Sequence, residues 1–125
     1  MRYLGVDLGL KRIGFAISEG ELASPLKVIN TRSFQDALEQ TLRVIEHERV
    51  DIVVVGQPEG EMGRLSEQFI SSLKQKGINI ESGDETLSSK NALKTMIKLG
   101  VSRDKRKVDD AYAATEILQD YIDSL

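Results

Sequence analysis

The sequence predicts an α/β protein with one mixed five-stranded sheet and helices on both faces. Short segments near the N-terminus are rich in β-branched and aromatic residues, as strands are. Two further apolar segments, DIVVVG and INIES, alternate with stretches in which apolar residues recur at helical spacing. With 125 residues, the chain is predicted to form a single domain, residues 1–125, around one core.

The first three strands are predicted in the segments RYLGVDL, IGFAISE and LKVINT. The first two are separated only by GLKR, which is typical of an antiparallel hairpin. The third begins at Leu26, after a short link from Glu19 to Pro25. The N-terminal part of the sheet is therefore expected to be antiparallel.

Four helices are predicted from capping residues and apolar spacing. The first begins after Ser33, a residue type that favours the N-cap, and the second follows the loop QPEGEMG and ends at Gly77. The third runs from about Ser88 to Gly100, and the fourth starts at about Val108. The residues of the fourth helix that are expected to be buried are Ala111, Thr115, Leu118 and Ile122.

The resulting element order is β-β-β-α-β-α-β-α-α. Helices precede strands four and five, and right-handed crossovers then make these strands parallel. Strand one is expected at the centre, between the antiparallel hairpin and strand four. This order resembles the ribonuclease H-like fold. The carboxyl ends of strands one, four and five would share one edge, where ligand sites of open α/β sheets lie.

Acidic residues from separate segments are predicted to meet at this edge. Asp7 ends strand one, inside the segment that reads as the most buried strand. An ionised carboxylate taken out of water is costly unless a cation or hydrogen bonds compensate. Asp84 and Glu85 follow strand five, and Asp109 and Asp110 begin the last helix, where the helix dipole alone would already favour acids.

A divalent cation would relieve the repulsion between carboxylates that converge in this way. Oxygen ligands without Cys or His select hard ions, Mg²⁺ or Mn²⁺. Two such ions about 4 Å apart can activate a water and stabilise the leaving oxygen of a phosphoryl displacement. We expect Asp7 to bridge the ions, and Glu85 and Asp109 each to complete a coordination shell.

Positive charge is concentrated between Lys90 and Lys107, although the net charge of the chain is −3. Such a region is either a solvated helix face with its loop or a surface that contacts phosphates. The hairpin tip in GLKR is open to the same two interpretations, whereas Ser88 and Ser89 are either helix caps or hydrogen-bond donors to a phosphate. The residues predicted to contact a nucleic-acid backbone are Lys11, Arg12, Ser88, Lys90, Lys105, Arg106 and Lys107.

The remaining composition predicts a cytoplasmic protein without a membrane segment. The chain has no cysteine, which fits a reducing compartment. No apolar run approaches the roughly 20 residues of a membrane span, and the N-terminus lacks the layout of a signal peptide. The single histidine, His47, falls near the end of the first predicted helix and is expected on the surface.

Four stretches, in order, resemble the YqgF family, which is also called RuvX: GVDLGLKRIGFAIS, VVVGQPEGEMG, DETLSS and KVDDAYAATEILQDYI. The resemblance covers the whole chain. It implies a nuclease that processes the 5′ end of pre-16S rRNA in ribosome biogenesis, or one that resolves Holliday junctions. It also implies metal-binding roles for Asp7, for Glu85 with Asp84 as a substitute, and for Asp109, with Asp110 at a position that varies.

Two departures from the family pattern leave a second interpretation open. Thr86 stands where the family usually has Arg, and the loop PEGEMG replaces a sequence like PLNMDG, which adds Glu59 and Glu61. A catalytically weak nucleic-acid-binding or assembly protein would tolerate both changes. The preferred interpretation is a Mg²⁺- or Mn²⁺-dependent nuclease that acts on structured RNA or branched DNA, as a monomer or weak homodimer.

Overall fold

The computed structural model describes residues 1–56, 60–83 and 109–125, with residues 109 and 110 described by their backbone alone. Within these ranges the chain forms five strands and three helices. The strands are β1 (Tyr3–Leu8), β2 (Arg12–Ser18), β3 (Ala23–Asn30), β4 (Ile52–Gly56) and β5 (Ile80–Gly83). The helices are α1 (Phe34–His47), α2 (Glu61–Gln75) and α3 (Asp109–Asp123).

The strands form one mixed sheet in the order β3-β2-β1-β4-β5. β2 is antiparallel to both β1 and β3, whereas β1, β4 and β5 run parallel to one another. This arrangement confirms the predicted fold class, with β1 at the centre. It also confirms that the carboxyl ends of β1, β4 and β5 lie at one edge.

β1 is buried on both sides because helices cover both faces of the sheet. Its residues Leu4, Val6 and Leu8 belong to the larger core, which α1 and α2 close. Tyr3 belongs to the second core, which α3 closes through Ala114, Ile117, Leu118 and Ile122. No helix in the described part of the chain is long and apolar enough to cross a membrane.

Gly5 sets the distance between β1 and α3. A Cβ atom built on Gly5 would lie 2.6 Å from the carbonyl oxygen of Ala114 and 2.8 Å from the Cβ of Leu118. Real Cβ atoms do not approach other heavy atoms so closely, so only glycine permits this packing.

Two of the predicted helix ends are also confirmed, the start of α1 and the end of α2. The Oγ of Ser33 accepts a hydrogen bond of 3.1 Å from the backbone N–H of Asp36, as an N-cap does. At the end of α2, Gly77 has a φ of 83°, the left-handed conformation that favours glycine after a helix. His47 ends α1 with 84% of its side chain exposed, as predicted.

The predicted start of the third strand is wrong, because β3 begins at Ala23 rather than Leu26. Pro25 suggested a link, but β3 is an edge strand, where a residue without an N–H is tolerated. Pro25 pairs with Ala16, next to a register shift between Phe15 and Ala16. The backbone N–H of Ala23 donates to Oε1 of Gln119 at 2.8 Å, which fixes the start of the strand to α3.

Two details of the helices also differ from the prediction. α2 begins at Glu61, so the second half of QPEGEMG is helical, and Gly60 with its φ of 74° occupies the N-cap. Thr115 is half-buried rather than buried, and its hydroxyl donates to the carbonyl of Ala111 at 2.7 Å. The helix predicted from Ser88 to Gly100 lies outside the described residues.

Candidate active site

Asp7 is the buried carboxylate at the carboxyl end of β1. The residue is 9% exposed and pairs with Gly14 in the antiparallel register of β1 and β2. Every other residue of β1 is apolar or glycine. A charge in this position needs a compensating group, since an unpaired buried carboxylate would destabilise the fold by several kcal/mol.

The sheet places Asp7 in line with the ends of two parallel strands. The β1–β4 register pairs Val6 with Val55, so Asp7 comes level with Gly56, and Gly56 in turn pairs with Gly83. Neighbouring strands lie about 4.8 Å apart, so the backbones of residues 7 and 83 are separated by roughly 10 Å. The acidic residues 84 and 85 follow directly after this row.

Asp7 also lies on the face of the sheet that α3 covers. Side chains of a strand alternate between faces, and Gly5 contacts Ala114 and Leu118. Tyr3, two residues before Gly5, has its ring 6.1 Å from that of Tyr121. The chain of α3 therefore runs opposite to β1, with its N-terminus towards the end that carries Asp7.

The same contacts place Asp7 beside the first turn of α3. Two residues of a strand advance about 6.7 Å, which corresponds to four or five residues of a helix. Counting back from the Gly5 contacts at Ala114 and Leu118 leads to the turn that begins at Asp109. The partial positive charge of a helix N-terminus favours a carboxylate at this position.

The predicted metal ligands are described to different extents. Asp7 is described in full, and Asp109 and Asp110 lie in the first turn of α3, where their backbone alone is described. Asp84 and Glu85 lie outside the described residues. Within the described part of the chain, no group of three or more Asp, Glu, His or Cys residues is close enough to hold a metal ion.

The part of the site that the structure describes fits a hard divalent cation. Its one buried carboxylate supplies oxygen ligands, and the chain has no cysteine and only one histidine, which lies exposed at the end of α1. Such a donor set suits Mg²⁺ or Mn²⁺ rather than Zn²⁺. A bound cation would also compensate for the burial of Asp7.

Two of the predicted phosphate-contacting residues are exposed: Lys11 in the turn between β1 and β2, and Arg12 as the first residue of β2. The turn is closed by a hydrogen bond of 2.9 Å from the N–H of Gly9 to the carbonyl of Arg12. A Cβ on Gly9 would lie 2.7 Å from that carbonyl oxygen, so this turn requires glycine at position 9. The other predicted contacts, Ser88, Lys90, Lys105, Arg106 and Lys107, lie outside the described residues.

An apolar pocket beside this turn was not anticipated from the sequence. Its volume is about 160 Å³, and Leu8, Leu10, Phe34, Ala37 and Leu65 contribute its apolar walls. One signal was available, because Leu10 is a large apolar residue at the tip of a hairpin, where polar residues are usual. The other walls come from α1 and α2 and needed the fold to be known.

Comparison with known proteins places the chain in a family along nearly its whole length. The family model described as "RuvX: Holliday junction resolvase" matches residues 1–124. A protein of Natranaerobius thermophilus named "Putative pre-16S rRNA nuclease" is 41% identical, over 98% of this chain and 94% of its own. A protein of Desulforamulus reducens with the same name is 37% identical, over 99% of this chain and 98% of its own.

Solved structures support the same fold at much lower sequence identity. The complex of the fowlpox virus resolvase with Holliday junction DNA matches with a TM-score of 0.69 and 16% identity, over 99% of this chain and 98% of that one. RuvC of Thermus thermophilus in complex with a Holliday junction substrate matches with a TM-score of 0.64 and 17% identity, over 99% and 96%.

The family match and the identity to these relatives extend from the β1 segment that carries Asp7 to the last turn of α3, and the resolvase structures share the sheet that positions that residue. The chain belongs to the RuvX family, also called YqgF, and has the ribonuclease H-like fold of the resolvases.

Proposed function

We propose that this protein is a nuclease that hydrolyses phosphodiester bonds in structured nucleic acid, and that its reaction is the 5′-end processing of pre-16S rRNA. The observation that carries the proposal is Asp7, a 9% exposed carboxylate at the carboxyl edge of the sheet and beside the N-terminus of α3. The names of the relatives from Natranaerobius and Desulforamulus support the choice of substrate.

The proposed metal ligands are Asp7, Glu85 and Asp109, with Asp84 and Asp110 as the alternatives on their segments. Two observations support this choice: the row from Asp7 ends at Gly83, the residue before Asp84 in the sequence, and α3 begins at Asp109 on the side of the sheet that carries Asp7. Bound Mg²⁺ or Mn²⁺, one ion or two, would supply Lewis acidity and a water activated for attack on phosphorus.

The chain itself contributes rigidity and exclusion of water. Asp7 is held by the central strand of the sheet, between Val6 and Leu8, which are both buried. The close contact of Gly5 with Ala114 holds α3 against that strand. The distance between the first turn of the helix and the Asp7 carboxylate is therefore fixed. Ligands on rigid elements are positioned more accurately than ligands on loops, which benefits in-line phosphoryl transfer.

Phosphate contacts would position the substrate at this edge. Lys11 lies in the turn that directly follows β1 and Arg12 begins β2, so both are within a few residues of Asp7 in the sequence. We propose that they bind the backbone on one side of the scissile phosphate. Ser88, Lys90, Lys105, Arg106 and Lys107 are proposed to bind it on the other. Such contacts fix the register of a substrate without reading its sequence.

Cleavage of Holliday junctions is the second candidate reaction. It is favoured by the description of the matching family and by the two junction-bound structures with the same fold. Symmetric cleavage of a junction needs two active sites, and hence a dimer, whereas a processing nuclease can act as a monomer. Sedimentation with and without junction DNA therefore helps to separate the two reactions.

The test is a cleavage assay on a pre-16S rRNA 5′ fragment and on a four-way DNA junction, with Mg²⁺ or Mn²⁺ present. Asp7→Asn keeps the shape of the side chain and removes its charge, and we expect it to lower the cleavage rate at least 100-fold. Asp123→Asn, at the exposed far end of α3, is the matched control and should cleave like wild type.

The same assay distinguishes the alternatives. Cleavage of the RNA but not the junction supports the processing reaction, and the reverse result supports the resolvase. The nuclease proposal is wrong if the wild-type protein binds one of the substrates but its cleavage rate on both is no higher than that of Asp7→Asn. The assembly-protein interpretation then replaces it.

A further inference from the structure

The pocket next to the β1–β2 turn lies at the same edge of the sheet as Asp7 but on the opposite face. Leu8 belongs to its wall and directly follows Asp7 in β1, so the two side chains point to opposite faces. Neighbouring Cα atoms are only about 3.8 Å apart. A nucleotide bound at the edge of the sheet could therefore place its phosphate on one side and its base on the other.

The pocket has the size of a single aromatic ring. Its volume is about 160 Å³. An apolar cavity of about 150 Å³ in another protein accommodates benzene, which shows what such a space can hold. A pyrimidine fits this volume, whereas a purine with its two fused rings would have to project partly from the pocket.

The walls of the pocket are formed before any ligand binds. Leu8 and Ala37 are each 4% exposed and belong to the main core. The ring of Phe34 is held edge-on by Phe69, with ring centres 6.3 Å apart and an angle of 83° between planes. Thr31 also lines the pocket, and its side chain carries a hydroxyl of the kind that can hydrogen-bond the edge of a base. Such a combination of apolar walls and few polar groups is typical of ligand pockets.

A second, basic cavity adjoins the first. It has a volume of about 350 Å³, is lined by Lys11, Arg12 and Asn30, and shares Gly9 and Leu10 with the apolar pocket. Leu10 forms the common rim and is 78% exposed, an unfavourable position for a large apolar side chain. An apolar pocket beside a cationic cavity matches the base and the phosphate of one nucleotide.

From this geometry we infer that the apolar pocket binds one unstacked pyrimidine base of the substrate, next to the phosphate that is cleaved, while Lys11 and Arg12 hold its backbone. This inference rests on the proposed nuclease function and adds a specificity site to it. It predicts that the substrate has an unpaired pyrimidine near the cleavage position. Base pairs would first have to open there, which favours loops and duplex ends over uninterrupted duplex.

The test uses the full chain and two pentameric ligands, pentauridylate and the same ribose-phosphate pentamer with all five positions abasic, followed by methyl NMR spectroscopy. Pentauridylate is expected to shift the methyl signals of Leu8, Leu10, Ala37 and Leu65 in a saturable manner. The abasic pentamer should bind on the order of tenfold more weakly. The methyl signals of Leu22, equally exposed in the β2–β3 turn, should not shift and serve as the internal control.

Variants distinguish the pocket from general electrostatic binding. Leu10→Ala removes the exposed rim without touching the core, and we expect the affinity for pentauridylate to fall several-fold while that for the abasic pentamer is unchanged. Leu22→Ala is the matched control and should behave like wild type. Pentaadenylate should bind more weakly than pentauridylate, because its bases exceed the pocket.

Equal affinity for the intact and the abasic pentamer, or methyl shifts confined to residues outside the pocket, would overturn the inference. Equal binding of pentaadenylate would overturn the preference for a single ring. These results leave the nuclease proposal standing if Asp7→Asn still abolishes cleavage. Conversely, occupation of the pocket by pentauridylate together with Asp7-independent cleavage would retain the base site and reject the proposed nuclease.

Discussion

Gly5 of β1 and Ala114 of α3 approach so closely that a single added carbon atom does not fit between them. A Cβ on Gly5 would lie 2.6 Å from the carbonyl oxygen of Ala114. The contact is between two backbones, so no side chain can rotate to relieve a clash. The position of α3, and with it the position of Asp109 relative to Asp7, depends on this glycine.

Gly5→Ala is therefore expected to lower the free energy of unfolding by about 2 kcal/mol or more, because α3 must move outwards. The displacement should also reduce cleavage in the fraction that remains folded. Urea unfolding and a cleavage assay at low temperature measure the two effects.

Gly77→Ala provides the contrast for this prediction. Gly77 has a φ of 83° and no atom within 4 Å of an added Cβ, so alanine there meets backbone strain but no clash. A loss of stability of about 1 kcal/mol with unchanged cleavage is expected. If Gly5→Ala leaves both stability and cleavage at wild-type levels, the account of how α3 is positioned is wrong.

Thr41 offers a route to higher stability. The residue is 0% exposed in α1, and its hydroxyl has no hydrogen-bond partner within the described part of the chain. Valine has nearly the same shape without the unsatisfied polar group. Thr41→Val is expected to raise the free energy of unfolding by about 1 kcal/mol, measured by urea unfolding.

Thr115→Val is the matched control for this substitution. The hydroxyl of Thr115 donates to the carbonyl of Ala111 at 2.7 Å, so its removal sacrifices a hydrogen bond and should not stabilise the protein. A Thr41→Val variant less stable than wild type would mean that the hydroxyl is satisfied in solution, for example by a buried water.

Tyr121 makes the stability of the fold depend on pH in the alkaline range. Burial raises the pKa of Tyr121 above its ordinary value of 10.0, and repulsion from the negative charges of Glu81 and of the ionised Tyr3 phenol adds to the shift. A group with a raised pKa in the folded state stabilises the fold below its unfolded pKa, and this contribution is lost as the pH rises through the folded pKa. Stability should thus fall as the pH rises above about 10.

Tyr121→Phe tests this origin, since it keeps the ring contact with Tyr3 and removes the titrating group. Thermal unfolding at a series of pH values should show a smaller alkaline loss for the variant than for wild type. Parallel curves for the two proteins would assign the loss to other groups.

The order of the strands could be predicted from the sequence because each strand carries a local signal. The turn GLKR joins β1 and β2 as a hairpin, and the apolar run DIVVVG indicates a strand covered on both faces, as β4 is. The start of β3 could not be predicted, because Pro25 reads as a breaker until the strand is known to lie at an edge. Similarly, Thr115 satisfies its hydroxyl within α3, which periodicity does not reveal.

The part of the candidate site that could be predicted is the part that a single unusual residue reveals. Asp7 is anomalous in its own strand, and its burial confirms the anomaly. The pocket is different, because Leu8, Phe34 and Leu65 come from three elements and are ordinary core residues when taken one at a time. Together these residues form a pocket at the edge of the sheet, and the pocket exists only after α1 and α2 have packed on β1. The roles of Glu85 and Asp109 as ligands stay predictions.

The binding of Mn²⁺ by wild type and by Asp7→Asn tests the central claim most directly, because it needs neither substrate nor turnover. Thermal unfolding is followed at rising Mn²⁺ concentration, with Asp123→Asn as the matched control. We expect Mn²⁺ to stabilise wild type and Asp123→Asn by about 2.7 kcal/mol at 100 times the dissociation constant. Asp7→Asn should show little or no shift. An equal shift in Asp7→Asn, or none in wild type, would contradict the assignment of Asp7 as a metal ligand.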